Sequence, residues 1–279
     1  MQGECPALAT AEGEECGGGE GEGESAEGPR PLCTLPAALR RERLHRYDAS
    51  MYPLAELLAE VILPESMAGA GAAELHNVHL APEVRNWMEG AKKESARAYT
   101  MRRNFIDRRY KTARAFSPDT PTGQCYLRFL REVVLPAVRE GLGGEGGGEG
   151  ILYQREPNFR CHLPDTGHLL VHKHCDADYH HQQNEVNFWV PLTATFGSNT
   201  VWAESSPGAG DFRPFELEVG EAMQFWGNQC VHYTVPNDTD HTRITVDFRV
   251  IPIGHYQERY PMSHRRDGLP RFGKGAYFG

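Results

Sequence analysis

The run His172-Lys-His174-Cys-Asp176-Ala-Asp178-Tyr-His180-His181 holds the densest chemistry in the chain, and the rest of the sequence is read outward from it. Within it sits one His-x-Asp, at His174 and Asp176. Residues two apart on a strand point to the same face, so one strand end can aim an imidazole and a carboxylate at a single ion. A third ligand must come from elsewhere in the fold. His232 is the candidate, in the strand-like run Cys230-Val-His232-Tyr-Thr-Val. The gap from Asp176 to His232 is 56 residues. That is chain for about four short strands, enough to return to the same mouth of a jelly roll. Two imidazoles and one carboxylate form the facial triad that leaves three positions open on a non-haem iron(II).

The texture around this run supports a β-rich core. After Gly150, short runs rich in β-formers alternate with Gly, Pro, Asn and Asp turns: Ile151–Gln154, Phe159–His162, His168–His174, Glu185–Pro191, Asn199–Ala203, Phe215–Val219, Ala222–Trp226, Val231–Val235 and Arg243–Ile251. Strands at this spacing predict a sandwich or barrel. Upstream the pattern is helical: Leu54 to Ile62, Pro82 to Arg114 and Gln124 to Glu140, with Pro136 placed to bend the last. Helices first and strands afterwards predict an α+β fold, a double-stranded β-helix (jelly roll) core buttressed by N-terminal helices.

Four segments follow from this reading. Residues 1–35 form an acidic Gly/Glu-rich arm expected to be disordered, 36–140 a helical support, 141–150 a Gly/Glu-rich linker or loop, and 151–279 the core with an irregular tail. In residues 12–28, fourteen of seventeen are Gly or Glu, which leaves almost nothing to bury.

A dicarboxylate bound at such a metal needs a fixed cation for its far end. Arg243 follows His232 by eleven residues, with Thr245 two further on. Arginine offers a planar two-donor fork for a carboxylate, and a neighbouring hydroxyl adds a third bond. His174-x-Asp176, His232 and Arg243-x-Thr245 together resemble the His-x-Asp…His…Arg-x-Ser pattern of the 2-oxoglutarate/Fe(II)-dependent oxygenases, with Thr in place of the commoner Ser. The surrounding text resembles one branch more closely, the oxygenase-like proteins of streptomycin-type aminoglycoside clusters. The likeness lies in Asp176-x-Asp178-Tyr179-x-His181-Gln182-x-x-Glu185-Val-Asn187-Phe-Trp189-Val-Pro191-Leu192-Thr193, in Gly197-Ser-Asn199-Thr200-Val-Trp202-x-Glu204-Ser205 and in His232-Tyr-Thr-Val-Pro236-Asn237. It covers about residues 157–252. The N-terminal arm and the Gly/Glu insertion have no counterpart in it.

The resemblance implies Fe(II) on His174, Asp176 and His232, 2-oxoglutarate as co-substrate with Arg243 and Thr245 on its distal carboxylate, and dioxygen as oxidant. The expected substrate is a polar small molecule, such as a sugar or cyclitol, of secondary metabolism. Asn187 shares a strand face with Glu185 and Trp189 and is placed to hydrogen-bond co-substrate or product. His172 has the parity to face inward with His174; His180 and His181 read as loop residues. Arg160 and Arg249 are alternative anion anchors, expected to be structural, and Cys175 is a bystander. Two other readings stand beside the oxygenase: a cupin-like metalloprotein, favoured if His172 completes a three-His site, and a non-catalytic metal or ligand sensor.

Composition narrows the setting. Of the net charge of −9, the eight glutamates of residues 1–28 supply all but one unit, so the remainder is close to neutral. Lys92 to Arg114 carries nine basic residues against two acidic, which reads as a solvated face rather than a nucleic-acid site. No run approaches a membrane span, and no secretory signal is visible. Seven cysteines without a C-x-x-C argue against a disulfide framework or a cysteine-ligated zinc, and for a reducing cytoplasmic compartment.

Overall fold

In a computed structural model, which describes residues 33–91, 112–144, 150–258, 260, 272–275 and 277–279, the strands run β1 (Arg43–Arg46), β2 (Ile151–Tyr153), β3 (Asn158–His162), β4 (Val186–Pro191), β5 (Trp202–Ala203), β6 (Arg213–Pro214), β7 (Glu221–Phe225), β8 (His232–Tyr233) and β9 (Arg243–Pro252). The helices are α1 (Leu54–Ile62), α2 (Pro82–Ala91), α3 (Thr112–Ala115), α4 (Pro121–Phe129) and α5 (Leu135–Gly141). Residues 1–32 of the acidic arm, most of the basic stretch and residues 145–149 of the Gly/Glu insertion lie outside the described residues.

Strand β9 organises the larger sheet. It pairs with β4 along one edge and with β3 and then β2 along the other, all antiparallel; β7 and β1 continue beyond β4. Its sequence alternates strictly. Ile244, Val246, Phe248 and Val250 join the main core, where Phe248 stacks on Phe188 and meets Tyr126 and Phe129 of α4 edge-on. Arg243, Thr245, Asp247 and Arg249 occupy the opposite face. The β4 residues divide in the same way, with Val186, Phe188 and Val190 toward the helices and Asn187 and Trp189 away from them. Truncating Phe248 to Ala would cost about 3–5 kcal/mol at such a site. The smaller sheet, β6-β5-β8, faces the polar side of the larger one. Trp189 and Phe225 of one meet Ala203 of the other, with Val201 and Phe215 from the flanking chain, in a second apolar cluster.

The helical support follows its sequence signals. Thr120 caps α4, accepting from the Gly123 N–H, with Pro121 in the first turn, so the helix begins three residues before the predicted Gln124. A π-turn at Leu130–Val134 joins α4 to α5. Pro136 lies just beyond it, and a wider turn accommodates the missing N–H without breaking the helix.

Several expectations are corrected. His168–His174 is not a strand. The N–H groups of Leu170 and Val171 instead donate to the Thr234 hydroxyl, at 2.9 and 2.8 Å, and this side chain stands where a ladder partner would be. Phe215–Val219 keeps only a bridge from Leu217 to Thr195, and Val231–Val235 shortens to β8. Strand β1 has no β-forming signature in Arg-Leu-His-Arg and is held by its register on β7. Residues 33–35, assigned to the arm, are already anchored: the Thr34 N–H donates to Asn184 Oδ1 and Leu35 is buried. At the other end Phe278 is fully buried against Leu152 and Ile251, so the tail is tied to β2 and β9. Among the described residues no helix is long and apolar enough to cross a membrane.

Candidate metal centre

His174, Asp176 and His232 converge: one ligand atom from each lies within 4.8 Å of the other two. The route differs from the expected single strand. His174 sits on an isolated two-residue bridge to His232, and the chain then turns into a 3-10 helix at Asp176–Tyr179. The Asp176 N–H donates to Gly227 O at 2.9 Å, which pins the turn beside the histidines.

Both imidazoles are oriented from behind. His174 Nδ1 lies 2.7 Å from His172 O, and His232 Nδ1 lies 3.0 Å from Cys230 O. A carbonyl can only accept, so Nδ1 carries the proton and the Nε2 lone pair faces the shared point. Burial lowers the pKa of His232, more than the Asp176 charge raises it, and this favours the neutral ring a metal needs.

Asp176 is 1% exposed and held on both oxygens. Arg249 donates through Nε to Oδ2 at 2.9 Å and through Nη2 to Oδ1 at 2.7 Å, and Asn187 Nδ2 donates to Oδ2 at 2.7 Å. Burial alone would raise this carboxyl; the charge and hydrogen bonds of Arg249 outweigh it and hold the pKa well below the usual range. Arg249, expected to be structural, lies six residues beyond Arg243 on the same face of β9. The turn at Asp176 crosses over that end of β9 and brings the carboxylate to it. Parity with Arg243 was the available signal. Asn187 likewise meets the ligand carboxylate, while its Oδ1 is buried without a partner.

Two cavities open from the triad. The inner one, about 40 Å³, is bounded by Arg243, Trp189, Phe225 and His232, among others. Arg243 is 1% exposed, and its Nε and Nη1 have no hydrogen-bond partner; Thr245 Oγ1 is also buried and unpartnered. Its guanidinium lies 5.8 Å from the Trp189 ring centre. Burial and the nearby Arg160 push its pKa down to about 9, so it remains charged at neutral pH. A buried cation with open donors is costly unless an anion completes it. Arg160 is committed elsewhere, with Nε 3.0 Å from Asp247 Oδ1.

The outer cavity is wider, about 550 Å³, and shares Arg160, Val171, His174 and Arg249 with the inner one. His172 is exposed on its wall and is not among the three converging donors. His181 is buried there, with Nδ1 2.7 Å from Glu185 Oε2. Glu185 also accepts from the Gln182 N–H and lies 3.6 Å from Arg249 Nε. Cys175 stays outside both cavities. The His181–Glu185 pair was not foreseen, since the sequence placed His181 in a loop and Glu185 on a strand face.

No family model matches the chain. The streptomycin biosynthesis protein StrG of Streptomyces griseus is 31% identical over 235 residues, covering 84% of this chain and 95% of that protein. Among solved structures, a non-heme monooxygenase described as a ThoJ–Ni complex is 18% identical with a TM-score of 0.40, covering 71% of this chain and 77% of its own. A Pseudomonas putida prolyl-4-hydroxylase is 16% identical with a TM-score of 0.36, covering 49% and 68%.

Proposed function

Because the chain belongs to the family of the streptomycin biosynthesis protein StrG, we propose that it is a non-haem iron(II) oxygenase that consumes 2-oxoglutarate and dioxygen and oxidises a polar small molecule, of the sugar or cyclitol kind, in secondary metabolism. The two facing sheets are read as the halves of a double-stranded β-helix with the metal at one mouth. The observation that carries the proposal is the pairing of two features: three converging donors from two histidines and an aspartate, and one inner cavity away, a buried Arg243 with open donors.

The donor set fits the metal, since two neutral Nε2 atoms and one ionised carboxylate are the facial triad of Fe(II) sites. Bound there with 2-oxoglutarate, iron supplies the oxidising power to place an oxygen atom from dioxygen on a C–H bond, with succinate and carbon dioxide as co-products. The chain's own residues do the rest. Arg243 and Thr245 receive the distal carboxylate in a fork and a hydroxyl bond. Trp189 and Phe225 keep water from that salt bridge, which strengthens it. Arg249 and Asn187 fix the plane of Asp176, so the ligand does not rotate when the co-substrate enters. The inner cavity is too narrow for a ring and admits only the carboxylate end of a slender dicarboxylate; the outer cavity is left for the substrate.

The test is 2-oxoglutarate-dependent oxygen uptake by the Fe(II)-loaded protein, with succinate formed in step. Absence of 2-oxoglutarate binding by metal-loaded, oxygen-free protein would overturn the proposal. His172 gives the cupin-like reading no support, because it does not join the donors.

A further inference from the structure

An ammonium group leaving water is disfavoured in a pocket whose fixed charges are mainly cationic. Among the described residues lining the outer cavity the one carboxylate is Asp176, and both its oxygens are held by Arg249. Of the carboxylates beside the cavity, Asp178 accepts from the Cys175 N–H, and two more are committed behind the wall. Asp247 accepts from Arg160 and from Asn158 Nδ2 at 2.7 Å. Glu185 accepts from His181 and the Gln182 backbone. A bound divalent metal would add further positive charge beside Arg160 and Arg249.

The wall is nevertheless built for hydroxyl groups. His181 lines the cavity with Nδ1 2.7 Å from Glu185 Oε2, so Nε2 is the ring atom left to meet a substrate hydroxyl. The ring itself is fixed by stacking on Phe272, with centroids 3.7 Å apart. Tyr179, 49% exposed, offers an aromatic face on the same wall, suited to the C–H face of a saturated ring.

We propose that the outer cavity selects an uncharged, hydroxyl-bearing ring and rejects the same ring carrying a free ammonium, with His181, held by Glu185, hydrogen-bonding a substrate hydroxyl. This rests on the oxygenase reading of the same site, and it gives that reading a substrate class despite a relative named for an aminoglycoside pathway. Amino groups of such a product must then be absent, masked or held outside the cavity at this step.

The experiment uses full-length, metal-loaded protein without oxygen and with 2-oxoglutarate bound. The probes are myo-inositol, an inosamine in which ammonium replaces one hydroxyl, and its N-acetyl derivative, titrated by ligand-observed NMR. An unpaired charge should cost the inosamine roughly tenfold or more in affinity against the other two. His181→Phe should lose a similar factor for myo-inositol, and Leu170→Glu, which adds a carboxylate to the wall, should improve inosamine binding. Normal 2-oxoglutarate binding with the inosamine bound equally or better, or with no probe bound, overturns this inference alone. Failure of 2-oxoglutarate to bind overturns the oxygenase reading and this inference with it.

Discussion

Arg249 grips both oxygens of Asp176, the carboxylate of the candidate triad, and the pair is buried. Without metal, the guanidinium is the main counter-charge to that ligand. Removing one partner of a buried pair strands the other, typically at about 3–5 kcal/mol. Arg249→Met is therefore expected to lower the melting temperature of metal-free protein sharply. Added Ni(II) or Mn(II) should restore more stability to this variant than it adds to wild type, because the ion supplies the lost charge. Equal metal-free stabilities in thermal melts would show that Asp176 does not depend on Arg249.

His174→Ala, Asp176→Ala and His232→Ala should each abolish stoichiometric metal binding, since three protein ligands are the fewest that hold a facial site. His172→Ala should leave it intact, because its side chain is not among the converging donors. Metal content after gel filtration reads both. A one-to-one complex retained in any of the three ligand variants removes that residue from the site.

The three converging residues were legible in the sequence, and the support behind them was not. His174, Asp176 and His232 follow from residue type and spacing, and Arg243 from its distance to His232. The alternation in β4 and β9 likewise predicted which side chains share a face. What failed was local: reading His168–His174 as strand, with Asp176 at its end, missed that the Thr234 hydroxyl replaces a ladder partner and that Asp176 opens a turn. That turn decides where the carboxylate goes, and so hid its contact with Arg249. The His181–Glu185 pair escaped for a related reason, since only the folded loop brings the ring back over the carboxylate.

His162 offers a test of the larger sheet. Opposite Arg243 in the β3–β9 register, it is fully buried. Burial first, and the Arg243 charge second, push its pKa down to about 3. An unfolded histidine takes up its proton near pH 6.5, whereas the folded one refuses it until about pH 3. Stability is therefore full above about pH 6.5 and falls as the pH drops from there toward 3. For one group the slope approaches about 1.4 kcal/mol per pH unit, or about 2 kcal/mol by pH 5. His162→Leu should flatten this loss in urea titrations at pH 7.5 and pH 5. Parallel losses in variant and wild type would assign the acid sensitivity elsewhere.

The co-substrate anchor separates the oxygenase from a cupin-like metalloprotein. Arg243 is not a donor to the triad, so Arg243→Ala should still bind metal. It should bind 2-oxoglutarate about two orders of magnitude more weakly, because a charge-assisted bond to a buried carboxylate contributes about 1.5–3 kcal/mol. Arg243→Lys should recover only part of this, since a point charge replaces a fork. Thr245→Val, which removes one unpartnered hydroxyl, should cost less than Arg243→Ala. Arg249 cannot serve as an inert control, because its loss disturbs Asp176. Arg46 is the better one: it lies on the outer edge strand, is paired with Glu221 and is solvent-exposed. The measurement is 2-oxoglutarate affinity of metal-loaded, oxygen-free protein by calorimetry. A weakened Arg243→Ala beside an unchanged Arg46→Ala supports the anchor. Unchanged affinity in Arg243→Ala would move the distal carboxylate to another cation, with Arg160, on the same cavity wall, next in line.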